Sequence, residues 1–154
     1  MKSVKYEWAR AYLNGVISRW KWVDIFQTRI EQLREQMITY GGSDMGERVQ
    51  TSPSGDALEK KVIAFIEKTN KLTMALYDKI DEANERQAEA EMRIMSLKVG
   101  KCQDLLIDHY LMRKSFEQIK EEYYYSDINT VYKLHERALE YFTEVAIANG
   151  WVTF

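Results

Sequence analysis

Two apolar stripes with a seven-residue period, one on each side of a single breaker-rich stretch, leave this chain few folds to choose from. In the first stripe Ala9, Val16, Val23, Ile30 and Met37 recur at sevens, Tyr12, Phe26, Leu33 and Tyr40 take the interleaved positions, and Arg19 is the one break. In the second, Val62, Thr69, Leu76, Ala83, Ala90 and Leu97 repeat at seven, with Ile66, Thr73, Ile80, Gln87 and Ile94 between them. That period belongs to helices that bury one face against other helices, not to strands. The segment between, Gly41 to Asp56, is dense in Gly, Ser, Thr and Asp and holds the only proline, Pro53. Stripes of like length around a reversing segment predict a long antiparallel helical hairpin over residues 1–98 with its loop at 41–56. Each helix should run for roughly 30 residues or more. Asp56 followed by Glu59 is an acidic form of the capping box and places the start of the second helix at Ala57.

Sixteen residues without regular structure is long for a hairpin. The loop reads either as a capped connection or as a partner-binding element presenting Arg48, Gln50, Thr51 and Ser52. Trp8, Trp20 and Trp22 lie beside the first stripe, and two antiparallel helices cannot cover three indoles. Either the C-terminal segment folds back onto them or the chain pairs with a second copy, and the weak Thr, Ala and Gln positions of the second stripe favour a homodimer made through the hairpin.

Composition excludes several classes. With 45% hydrophobic residues in a chain of 154, a core can form and global disorder is not expected. A formal charge of −2 gives no basic field over the whole molecule, so any DNA contact must come from a local patch. One cysteine, Cys102, and two histidines, His109 and His135, offer no metal-ligand spacing and no activated nucleophile. Asp108 beside His109 is sequence adjacency, since neighbours on a helix point about 100° apart. No glycine-rich phosphate loop is present. A non-enzymatic protein without cofactor or metal is expected, and with no apolar run near the roughly 20 residues of a membrane span, a cytoplasmic one.

The C-terminal third carries the functional signal. Leu105, Leu106, Tyr110 and Leu111 make a short amphipathic helix that stops at Arg113 and Lys114. Ser115 then caps a helix holding Phe116, Ile119 and Tyr123, with Glu117 in its first turn where a carboxylate suits the helix dipole. After Tyr124 and Tyr125, Ser126 or Asp127 caps a third helix whose Val131, Leu134, Ala138 and Phe142 face inward. Short helix, tight turn and longer amphipathic helix is the helix-turn-helix arrangement, over residues 99–154. The outer residues of the last helix are Asn129, Thr130, Lys133 and Arg137. Asn reads adenine, Thr meets a thymine methyl, and Lys or Arg takes guanine or phosphate.

The stretch from "LLIDHYLMRKSFEQIKEEY" through "SDINTVYKLHERALEYF" resembles the C-terminal helix-turn-helix of sigma-70 family factors, their region 4. It is also similar to the sigma-like regulators of phages and prophages of Gram-positive bacteria, which carry an N-terminal helical hairpin and a loop similar to "RVQTSPSGD". The resemblance implies an all-helical fold, contact with promoter DNA or RNA polymerase, and no catalysis. By position it assigns base reading to Asn129, Thr130 and Lys133 and core roles to Ile119, Val131, Leu134 and Ala138, and His135 matches a position where the group often has His. Tyr124 stands where that group has glycine, which implies a non-glycine residue in a left-handed turn at a cost of about 1 kcal/mol or more. Lys120 stands where the group has a small residue, so its stem must snorkel outward or the crossing must open. Residues 101–142 hold six basic against eight acidic side chains, a net of −2, which implies weak DNA affinity for the isolated module. The expectation is a sigma-like transcription regulator; the alternative is a helical adaptor or assembly protein that uses a degenerate helix-turn-helix to bind protein.

Overall fold

The structure, a computed structural model, describes residues 4–42 and 54–154. These residues are all-helical, with no strand among them. Helix α1 spans Val4–Gly42 and α2 spans Ser54–Met95, 39 and 42 residues long. Three shorter helices follow: α3 (Gly100–Leu106), continued by a wide π-helical turn (Ile107–Leu111), then α4 (Phe116–Glu122) and α5 (Ile128–Ala148). No described helix is long and apolar enough to cross a membrane.

The two long helices are those the stripes predict, but they extend further toward each other. Gly41 and Gly42 close α1, and α2 already includes Ser54, Gly55 and Asp56, so Asp56 is not its cap. Terminal turns leave backbone groups unbonded in any case. Glycine and serine there forfeit little, and breaker residues mark a helix end only to within a turn. The loop residues Arg48, Gln50, Thr51 and Ser52 lie outside the described residues.

Compactness groups the chain into two units. The first comprises the start of α1 up to Arg19 and everything from Ala83 onward. Its α1 stripe is buried at Ala9, Tyr12 and Val16, and its α2 stripe at Ala83, Ala90, Ile94 and Leu97. Tyr6 and Leu13, one position along from the stripe, are buried as well. They are covered because the C-terminal helices add a further layer: Phe142 of α5 stacks on Trp8 and Tyr12 at 6.1 and 5.9 Å between ring centroids. Trp151 also packs against Phe142, at 6.1 Å between ring centroids. Tyr12 also ties α1 to α2. Its hydroxyl donates to Glu89 at 2.6 Å, and the Arg86 and Arg93 guanidinium groups lie 5.1 and 4.9 Å from its ring centroid. Burial and the Glu89 hydrogen bond both push the Tyr12 phenol up, so it remains a donor. For Trp8, then, the C-terminal segment does fold back.

The described residues of the second unit, Trp20–Glu82, belong to parts of α1 and α2. Val23, Ile30, Leu33 and Leu76 are buried, while Val62, Thr69, Thr73 and Ile80 are half-buried. The two threonines satisfy their hydroxyls within the helix, donating to the carbonyls of Phe65 and Thr69 at 2.8 and 2.7 Å. Trp22, Ile25, Ile63, Met74 and Tyr77 remain exposed, and so does Ile66, which the second stripe places on the seam but which lies to one side of it.

Candidate nucleic-acid interface

The α4–α5 pair is built from sequence signals that act locally. Ser115 makes a reciprocal capping box: the Gln118 amide donates to its Oγ at 3.2 Å, and its own amide donates to Gln118 Oε1 at 2.9 Å. At the start of α5, Asp127 rather than Ser126 is the cap, accepting from the Asn129 amide at 3.0 Å. Between the helices, Tyr124 has φ 59° and is 94% exposed. Its amide donates to Glu121 and that of Tyr125 donates to Lys120, the paired bonds that close a helix through a left-handed residue. The turn that glycine usually makes is therefore formed by tyrosine, with the strain that implies. Arg113, at φ 56°, does the same before α4.

Two side-chain groups hold this geometry. The wide turn at Ile107–Leu111 lets consecutive residues reach α4 and α5 together. His109 stacks on Phe116 at 4.1 Å and donates from Nδ1 to the Lys114 carbonyl at 2.9 Å. Tyr110 Oη and His135 Nε2 share a buried 2.7 Å hydrogen bond. Burial raises the Tyr110 pKa and lowers that of His109, the latter partly offset by the bond to Lys114. On the other side, Lys114 Nζ bridges Glu122 at 2.8 Å and Asp108 at 3.4 Å, and the Tyr123 hydroxyl donates to Asp108. Burial, and then that donation, push the Tyr123 phenol up. Asp108 thus takes the Lys114 ammonium and the Tyr123 hydroxyl, while His109 takes the Lys114 carbonyl and the Phe116 ring. Among the described residues no group of three metal-ligating side chains comes together.

Inward, α5 buries Val131, Leu134, Ala138 and Phe142 as expected, and also His135, Leu139, Thr143 and Ala146. Ile119 of α4 is fully buried beneath it and Lys120 is half-buried, consistent with an outward stem. Outward, Asn129, Thr130, Lys133 and Arg137 are all exposed. At about 100° per residue they share one side of the helix, but Glu136 and Glu140 fall on it too. Both of these carboxylates act on Tyr6 at the start of α1. The face is thus free of acidic side chains only over the first turns of α5. Sequence reading passed over Tyr132, exposed on the margin of the same face, and over Tyr124 as a surface group. The spacing of Tyr132 from Asn129, three residues, was the available signal.

No family model matches the chain, and neither the curated proteins nor the solved structures contain a match to it.

Proposed function

We propose that α4 and α5 form a DNA-reading helix-turn-helix and that the protein is a non-enzymatic, sigma-like transcription regulator acting at promoters in the bacterial cytoplasm, alone or with RNA polymerase. In this reading the two long helices form an antiparallel hairpin that serves docking. The observation that carries it is the exposure of Asn129, Thr130 and Lys133 on the first turns of a helix whose opposite side is buried, directly after a capped tight turn. The leading turns of a recognition helix are the part that enters the major groove. Arg137, one turn on, is left to reach a phosphate.

Few cations face outward, so the electrostatic contribution is small and the slope of affinity against salt is shallow, near one log unit per phosphate contact for each log unit of salt. Binding to pooled promoter fragments, followed by anisotropy across a salt series, tests this. Lys133→Ala should weaken binding more than Lys79→Ala on α2, and Asn129→Ala should relax sequence preference. Each good base contact is worth about 1 to 3 kcal/mol of discrimination. Indifference to all three substitutions removes the recognition helix from the reading. One observation favours the adaptor instead: Tyr124 and Tyr132 stand exposed beside an acidic module, the amphipathic rings that protein interfaces favour. A module that retains a protein partner when Lys133 is replaced, and loses it with Tyr132→Ala, is that adaptor.

A further inference from the structure

Helix α2 carries a second apolar line beside its seam. Ile63, Ile66, Met74 and Tyr77 are 49%, 46%, 66% and 58% exposed, and Asn70 among them is exposed too. At about 100° per residue these five positions fall within an arc of about 80°, next to the half-buried line of Val62, Thr69, Thr73 and Ile80. Their order is symmetrical about Asn70: Ile63 and Tyr77 lie equally far to either side, as do Ile66 and Met74. Along the edge of this line away from the seam run Lys60, Glu67, Lys71 and Asp78, all exposed and alternating in sign.

We propose that a second copy of this chain docks antiparallel along this line, with a two-fold axis at Asn70. An interface of that kind is self-complementary, and each half of this one supplies what the other lacks. Ile63 meets Tyr77 of the second copy, Ile66 meets Met74, and Asn70 meets its own equivalent. A two-fold perpendicular to the helices keeps the charged edges together while reversing their order. Lys60 then lies about 3 Å along the axis from Asp78 of the second copy, and Glu67 equally close to Lys71. A parallel copy turns the charged edge toward the seam of its neighbour and forfeits these pairs. Asn70 sets the register, because a slip of one turn buries its amide against aliphatic carbon without a partner. The proposal is independent of the DNA reading, since it concerns mass alone.

Sedimentation of the full chain over a concentration series tests it. A reversible dimer is expected, with Met74→Glu raising the dissociation constant at least about tenfold while helicity is unchanged. Lys60→Glu with Lys71→Glu makes the edge wholly acidic and should weaken the dimer several-fold. Adding Glu67→Lys and Asp78→Lys restores the alternation in reverse and should recover the affinity. On mild oxidation Asn70→Cys should cross-link two chains, whereas Tyr77→Cys should not, being about 21 Å from its equivalent. Native Cys102 is buried, and the chain without an added thiol is the control. A monomer at about 0.1 mM, a dimer indifferent to Met74→Glu, or cross-linking through Tyr77→Cys in preference to Asn70→Cys overturns the proposal.

Discussion

The same two helices behave differently in the two units. In the first, α1 buries Tyr6 and Leu13 as well as its stripe; in the second, the equivalent positions of the repeat are Trp20, Gln27 and Arg34, half-buried or exposed. A seven-residue stripe covers one line of contact, and burial of a broader face needs a further layer. Phe142, Trp8 and Trp151 supply that layer in the first unit. Among its described residues the second unit has only helix against helix: Val23, Ile30, Leu33 and Leu76 are buried, but Trp22, Ile25, Ile63, Met74 and Tyr77 remain exposed.

The largest expected consequence is a difference in the cost of truncation. Phe142 is fully buried among rings, so Phe142→Ala should cost about 3 to 5 kcal/mol. Ile63→Ala, on a side chain already half in water, should cost under about 1 kcal/mol at monomeric concentrations. Chemical denaturation of both variants measures this, and equal losses would erase the distinction between the units.

Much of this was legible in residue order. The period of seven located α1 and α2, Ser115 located the start of α4, and the inward set Val131, Leu134, Ala138 and Phe142 oriented α5. These signals are local and repeat at the helical period, so they survive without knowledge of packing. The change from Tyr6 and Leu13 to Gln27 and Arg34 was also in plain view, and it marks where a further layer ends. What could not be read is what depends on distant partners. Nothing in the order of residues says that Tyr110 will meet His135, 25 positions away, or that a wide turn will let His109 and Tyr110 both reach α4–α5. The start of α2 was misplaced because Asp56 and Glu59 satisfy a capping pattern that the preceding residues do not need.

A second prediction concerns strain, which among the described residues only the better-packed unit carries at non-glycine positions. Tyr124 holds a left-handed conformation, and its ring touches little. Tyr124→Gly should therefore stabilise the first unit, by about 1 kcal/mol, even though it removes a side chain. An exposed residue within a helix of the second unit, such as Lys68→Gly, should instead lose about 1 kcal/mol. Thermal unfolding of the two variants reads the opposite signs. A loss for Tyr124→Gly would mean that the turn is not strained in solution.

The smallest effect expected is a dependence on mild acid confined to one unit. Both histidines of the chain lie beyond Glu82, so residues 20–82 contain none. Burial lowers the His109 pKa below its ordinary 6.5, which means the folded protein resists a proton that the unfolded chain accepts. The sign follows: the contribution of His109 is complete above about 6.5, where both forms are neutral, and falls as the pH drops from there toward the lowered folded value. Carboxylates with ordinary values near 4 stay charged over the upper part of this window. Amide exchange between pH 7 and about 6, corrected for the intrinsic rate, should show protection falling around Phe116 and His135 but not around Val23 or Leu76. His109→Gln keeps a donor for the Lys114 carbonyl and cannot titrate, so it should flatten most of that fall even if overall stability is lower. A fall of equal size in both units would assign the acid response to the chain as a whole and remove the His109 site as its cause.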